Sequence, residues 1–159
     1  MTQRIDYQKQ SPELFKRFVA FSMAFEQSAI EEAIRDLVDV RASQMNGCAF
    51  CVDMHVKAAT MHGERPLRLH HVAVWRESTL FSPRERAALT WTEILTNIPA
   101  QGVPDDVYER VRTQWSEQEL SDLTFLVMSI NAWNRVNAAF RVAPGAYDKA
   151  FGFDKSGLS

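Results

Sequence analysis

Apolar residues along the chain recur at intervals of three and four, the spacing of one face of an α-helix. The first such stripe begins at a Ser-Pro-Glu sequence, where a capping hydroxyl precedes a proline at the first helical position. Its apolar members are Leu14, Phe18, Phe21 and Phe25. Alternation with a period of two residues is nowhere sustained, so no β-sheet is expected. The pattern predicts an all-α chain.

Helix start signals divide the chain further. A capping box, in which a serine is followed three residues later by a glutamate, occurs at Ser28, Ser82 and Ser116. These boxes predict helices that continue to about residues 45, 95 and 140. Three more helices are predicted over residues 48–62, 65–75 and 104–115, where glycines and prolines mark the ends. We therefore expect six to eight helices in one compact domain that spans residues 1–159.

Composition and charge narrow the class of protein. A chain of 159 residues with 46% apolar and 24% charged residues can bury one hydrophobic core. Its formal net charge of −2 favours neither nucleic acid nor an acidic membrane as a partner. No apolar run approaches the ~20 residues of a membrane span, and residues 1–6 lack the apolar stretch of a secretory signal. These features indicate a cytoplasmic protein.

The chain has only two cysteines, and they lie close together with a histidine nearby. Cys48 and Cys51 have C-x-x-C spacing, and His55 follows one helical turn later on the same face. Gly47 predicts a helix end just before them, which places both thiols in the first turn of the next helix. Unpaired N–H groups and the helix dipole favour a thiolate there. A thiol pair beside such a base can perform two-electron redox chemistry.

Two other interpretations of the cysteines remain open at this level. They can be buried, inert thiols that fill core space. They can also bind zinc, because Cys48, Cys51 and His55 offer three ligands. No second C-x-x-C completes a structural tetrahedron, so the sequence predicts neither a metal nor a cofactor. His62, at the end of the same predicted helix, is expected to interact with the helix dipole.

The cysteines belong to a longer pattern. Asp36-Leu37-Val38 precedes the run RASQMNGCAFCVDMH, which extends from Arg41 to His55. Further segments of the pattern are AVWRE at 73–77, FSPRERAAL at 81–89 and NAWNR at 131–135. This core motif, from about residue 31 to 141, resembles the alkyl hydroperoxidase D and carboxymuconolactone decarboxylase superfamily. The resemblance implies an all-helical fold that assembles into homotrimers or homohexamers, with the active site near subunit contacts.

The resemblance also implies roles for individual residues. In the hydroperoxidases of this superfamily the second cysteine attacks the peroxide and the first resolves the product. A glutamate twelve residues before the first cysteine works with the downstream histidine, through a bound water, as a proton relay. This makes Cys51 peroxidatic, Cys48 resolving and His55 the relay, with Asp36 at the glutamate position. Asp36 is one methylene shorter than glutamate, and Phe50 stands where some hydroperoxidases carry a histidine.

The implied activity is that of a thiol-dependent peroxidase acting on hydrogen peroxide or small organic hydroperoxides. An external dithiol, dihydrolipoamide-like or thioredoxin-like, would reduce the Cys48–Cys51 disulfide after each turnover. One alternative is lactone decarboxylation, the reaction of the other branch, which generally does not depend on a C-x-x-C pair. Another is a redox-responsive oligomer without significant turnover, which the departures at Asp36 and Phe50 favour.

Overall fold

The computed structural model describes residues 2–158, and these contain nine α-helices and no strand. The helices are α1 (Tyr7–Gln10), α2 (Pro12–Met23), α3 (Glu32–Met45), α4 (Ala49–Met61), α5 (Pro66–His71), α6 (Pro83–Thr96), α7 (Asp105–Arg112), α8 (Glu117–Phe140) and α9 (Asp148–Phe151). The predicted all-α class is therefore confirmed. None of the helices in this range combines the length and apolar character needed to cross a membrane.

Two of the three predicted capping boxes form. The Ser82 hydroxyl accepts a hydrogen bond from the Glu85 backbone N–H, and the Glu85 carboxylate accepts one from the Ser82 N–H. Ser116 and Glu119 make the same reciprocal pair at the start of α8. Each box satisfies two backbone donors that the first helical turn leaves free, so both helices begin where the sequence predicts.

The third predicted box, at Ser28, does not form. A 3-10 turn at Ala24–Gln27 follows α2, and the Ser28 hydroxyl donates to the carbonyl of Phe25 at its end. Helix α3 begins later, at Glu32, without a side-chain cap. The prediction was wrong here because the Ser28 hydroxyl is hydrogen-bonded to the preceding turn and does not cap α3.

The main core lies where α3, α6 and α8 meet, and α4 packs against both α3 and α8. Val38, Leu123 and Val127 are at most 1% exposed. Burying such a side chain contributes roughly 1.5–3 kcal/mol before the entropy cost of ordering the chain. Because three helices contact α3, its position, and that of the turn that follows it, is fixed by the core.

Both ends of the chain pack near α4. Lys57 of α4, whose side chain is 7% exposed, pairs with Asp53 at 2.9 Å and with Asp148 of α9 at 2.7 Å. The Gly145 N–H donates to the Asp53 carboxylate, which fastens the segment before α9. The four-residue helices α1 and α9 were not predicted, because they carry too few residues to show a periodicity.

Candidate active site

The two cysteines lie at the start of α4 and are joined by a disulfide. Gly47, with φ of +63°, turns the chain between α3 and α4, a conformation that glycine adopts without strain. Cys48 is the N-cap of α4, and its Sγ accepts a hydrogen bond from the Cys51 backbone N–H at 3.3 Å. The predicted placement in the first turn is confirmed. The N–H groups and dipole of α4 favour an anionic sulfur at this end of the helix.

The sulfur atoms are buried. Cys48 is 3% exposed and Cys51 is 1% exposed. The side chains packed with them come from α4 and from both ends of the chain, namely Tyr7, Phe50, Met54, Val142 and Tyr147. The Phe50 ring meets the Tyr147 ring edge to face, with 5.7 Å between centroids. The disulfide therefore has a largely apolar cover that excludes bulk water.

His55 lies one turn after Cys51 on α4 and faces a carboxylate of α3. Its Nδ1 is 3.4 Å from Oδ2 of Asp39, and the two side chains are 16% and 18% exposed. Burial lowers the pKa of His55 to about 4, so the imidazole is neutral at pH 7 and only weakly basic. Burial, followed by the negative charge of Asp36, raises the pKa of the Asp39 carboxyl well above its usual value.

Asp36, the carboxylate at the family's glutamate position, contacts the second histidine associated with α4. Its Oδ2 is 2.9 Å from Nδ1 of His62, the C-cap residue of α4. Burial raises the pKa of Asp36, and the hydrogen bond with His62 acts in the opposite direction. The carboxylate that the structure brings to His55 is thus Asp39 and not Asp36. Of the four predicted site residues, Cys48, Cys51 and His55 share the start and middle of α4, and the relay role of Asp36 stays a prediction.

A polar stripe on α8 faces the cysteines and the turn before them. Asn131, Asn134 and Asn137 recur every three residues on the buried side of α8 and are 8%, 0% and 4% exposed. The first two contact the Asn46 side chain, beside Gly47, at 3.0 and 2.9 Å. Buried amides require hydrogen-bond partners. The stripe therefore ties α8 to the turn that presents Cys48.

Asn137 reaches the disulfide itself. Its Nδ2 donates to Sγ of Cys51 at 3.7 Å, and its Oδ1 accepts a hydrogen bond from the Tyr7 hydroxyl at 3.0 Å. No sequence pattern predicts a role for Asn137, Tyr7 or Asp39. An asparagine within an apolar helix signals a buried polar contact, but only the packing of α8 on α4 identifies its partner.

Comparison with known proteins places this arrangement in a family. The model of the carboxymuconolactone decarboxylase family matches residues 12–93, which contain both cysteines and His55. The chain belongs to this family.

Among the residues described, 2–158, no three His, Cys, Asp or Glu side chains are grouped so that they could hold a metal ion.

Individual known proteins resemble the chain over most of its length. YdfG of Bacillus subtilis, described as uncharacterized, is 41% identical over 139 residues, which are 87% of this chain and 95% of YdfG. The crystal structure of ATU0492 from Agrobacterium tumefaciens has a TM-score of 0.86 at 40% identity and covers 90% of this chain and 98% of that one. That protein is described as a candidate antioxidant defence protein, AhpD, of unknown function. These likenesses confirm the superfamily predicted from the motifs.

The fold extends to more distant proteins. An alkylhydroperoxidase AhpD core structure from Ralstonia eutropha, described as an uncharacterized peroxidase-related protein, has a TM-score of 0.77 at 21% identity. It covers 87% of this chain, and this chain matches 74% of it. At this identity the likeness establishes the shared helical fold alone.

Proposed function

We propose that the protein is a thiol peroxidase that reduces hydrogen peroxide or small organic hydroperoxides with electrons from an external dithiol. The observation that carries this proposal is the Cys48–Cys51 disulfide at the start of α4, with His55 one turn further along the same helix. The description of the Agrobacterium tumefaciens relative as a candidate antioxidant defence protein supports it. The proposal includes a cytoplasmic location, where dithiol reductants are abundant.

In the first half of the cycle, Cys51 is the nucleophile. His55 takes the proton of the Cys51 thiol, and the thiolate attacks one oxygen of the peroxide. The O–O bond breaks, Cys51 becomes a sulfenic acid, and the other oxygen leaves as water or an alcohol after it takes the proton from His55. Burial lowers the pKa of His55 to about 4, so His55 is neutral at pH 7 and a weak base, and it holds this proton only in passing from the thiol to the leaving oxygen.

In the second half, Cys48 resolves the sulfenic acid. Its thiolate attacks Sγ of Cys51, the S–O bond breaks, and hydroxide leaves and is protonated to water. The Cys51 backbone N–H that donates to Cys48 Sγ stabilises this thiolate. A dithiol of the dihydrolipoamide or thioredoxin kind then reduces the disulfide by exchange and leaves as its own disulfide. No metal or organic cofactor takes part in this scheme.

Stopped-flow measurement of peroxide consumption with dihydrolipoamide tests the scheme. Cys51→Ser should lose the reaction, whereas Cys48→Ser should consume about one equivalent of peroxide and then stop, because the sulfenic acid is not resolved. Serine is a good N-cap, so the second variant keeps the start of α4 intact. If Cys51→Ser consumes peroxide as fast as wild type, the scheme is wrong.

Two further measurements test the other two functions that the sequence left open. Decarboxylation of a lactone acid that survives in the Cys48→Ser, Cys51→Ser double variant would indicate the decarboxylase chemistry of the family. A change in size on gel filtration between oxidised and reduced protein, with negligible peroxide turnover, would indicate a redox-responsive oligomer. Either result would replace the peroxidase proposal.

The proposal includes assembly into a homotrimer or homohexamer. Helix α2 has no buried residue, although it carries three phenylalanines and Leu14, which is 72% exposed. On α8, Phe125 and Met128 are 49% and 51% exposed. Exposed apolar side chains of this size support coverage by a second copy of the chain. Sedimentation equilibrium measures the stoichiometry directly, and a monomer at micromolar concentration would contradict this part of the proposal.

A further inference from the structure

The amide of Asn137 has an orientation fixed by two partners. Its Nδ2 points at Sγ of Cys51, and its Oδ1 accepts from the Tyr7 hydroxyl. The reverse orientation would place the carbonyl oxygen against a sulfur that becomes anionic on reduction, which is unfavourable. The Tyr7 ring is held in turn at the end of α8, because it stacks on the Phe140 ring with 5.9 Å between the centroids. The N–H is therefore aimed at the sulfur before any reaction occurs.

The two sulfur atoms have different donors. Cys48 Sγ accepts the backbone N–H of the first turn of α4, whereas Cys51 Sγ accepts the side-chain N–H of Asn137. Cys51 is 1% exposed, and burial in an apolar cover disfavours a thiolate. A hydrogen bond to the charged form works against that penalty and is about twice as strong as one to a neutral acceptor. Asn137 thus gives the Cys51 sulfur an N–H donor, as the first turn of α4 gives one to the Cys48 sulfur.

We propose that Asn137 is a further catalytic residue, whose side-chain N–H stabilises the Cys51 thiolate, and that Tyr7 is a positioning residue that holds the Asn137 amide in place. This inference rests on the proposed function for the assignment of Cys51 as the attacking thiol. The titratable side chains around Cys51 are Cys48 and His55 on α4, Tyr7 on α1 and Tyr147 in the C-terminal segment. Helix α8 contributes the uncharged amide.

The test measures the Cys51 thiol itself, without peroxide. In a Cys48→Ser background, the rate of iodoacetamide alkylation and the thiolate absorbance near 240 nm are followed against pH. Asn137→Leu keeps the number and branching of the side-chain heavy atoms and removes the donor, so the pKa of Cys51 should rise by about one to two. Alkylation at pH 7 should then slow by about tenfold or more. Tyr7→Phe should give a smaller change in the same direction, about two- to fivefold.

Tyr147→Phe is the matched control, because it removes a hydroxyl that accepts from Gln8 of α1 but has no bond to Asn137. It should leave the pKa of Cys51 unchanged. The inference is overturned if Asn137→Leu and Tyr7→Phe, both folded by circular dichroism, leave that pKa where the Cys48→Ser parent has it. If Asn137→Leu does not fold, Tyr7→Phe decides alone. A raised pKa together with a wild type that ignores peroxide would refute the proposed function, and with it the catalytic role of Asn137, but would confirm that Asn137 stabilises the Cys51 thiolate.

Discussion

Oδ2 of Asp39 lies 3.4 Å from Nδ1 of His55, and this contact joins α3 to α4 one turn beyond the disulfide. A second carboxylate–histidine pair, Asp36 with His62 at 2.9 Å, lies further from the cysteines along α4. The earlier aspartate of α3 pairs with the later histidine, and the later aspartate pairs with the earlier histidine, as expected for two antiparallel helices. The pair that includes His55 is the one next to the thiols, so Asp39 is the carboxylate placed to act on the proton relay.

The first prediction compares these two carboxylates. Asp39→Ala should lower the second-order rate of Cys51 with hydrogen peroxide by about tenfold, because His55 loses the group that orients it. Asp36→Ala should change that rate less than about twofold, since its contact is with His62. Stopped-flow tryptophan fluorescence measures both rates. A larger loss in Asp36→Ala than in Asp39→Ala would support the role that the family motif gives to Asp36.

The second prediction concerns the protonation of His55. Burial lowers its pKa to about 4 in the folded protein, whereas the unfolded chain binds the proton near the ordinary value of 6.5. The resulting stabilisation is complete above pH 6.5 and is lost as the pH falls from 6.5 toward 4, by about 3 kcal/mol at most. An NMR titration of the His55 ring should give a midpoint near 4 in the native state.

His55→Gln provides the control for the pH dependence of the free energy of unfolding. Its free energy of unfolding should lose the part of the pH dependence between pH 4 and 6.5 that the wild type shows. A native-state midpoint for His55 at or above its value in urea would contradict the prediction. Such a midpoint would mean that His55 carries a charge beside Asp39 and forms an ion pair with it.

The third prediction concerns the attachment of the C-terminal segment. Lys57→Met removes the cation shared by Asp53 and Asp148, so two carboxylates face each other without compensation. We expect a loss of about 2–3 kcal/mol and faster hydrogen exchange across residues 143–155. The exposed Lys149 offers a matched control, because Lys149→Met should change the stability by less than about 0.5 kcal/mol. Unchanged exchange in Lys57→Met would show that other contacts hold the segment.

The fourth prediction concerns the capping box of α8. Hydrogen bonds from the Ser116 backbone and hydroxyl, with help from Arg84, lower the pKa of Glu119 to about 2. The stabilisation is present above the ordinary glutamate pKa and is lost as the pH falls toward 2. Glu119→Gln keeps the geometry without the charge and should cost about 1 kcal/mol at pH 6 in urea unfolding. The difference from wild type should shrink by more than half at pH 3.

Glu117→Gln is the control for this effect. Glu117 lies in the same turn, but its side chain is 88% exposed. Its replacement should leave the stability difference small at both pH values. An equal effect of the two substitutions would attribute the pH dependence to the helix dipole in general and not to the box.

Local signals in the sequence predicted the features that depend on neighbouring residues. The boxes at Ser82 and Ser116, and the glycine turn that puts Cys48 at a helix start, involve residues within four positions of one another. Such contacts depend mainly on the local backbone. The box predicted at Ser28 did not form, because the Ser28 hydroxyl donates to the carbonyl of Phe25, three residues earlier in the preceding turn.

The sequence by itself thus determined the helical class, the cysteine pair at the start of α4 and the histidine one turn beyond it, because helix geometry fixes those relations. Only the tertiary structure decided which carboxylate meets His55, since Asp36 and Asp39 lie about one turn apart on the same helix and periodicity does not choose between them. It also brought Asn137 to Cys51 and Tyr7 to Asn137, across 86 and 130 positions of the chain. Contacts over such separations depend on how whole helices pack, and no local pattern encodes that.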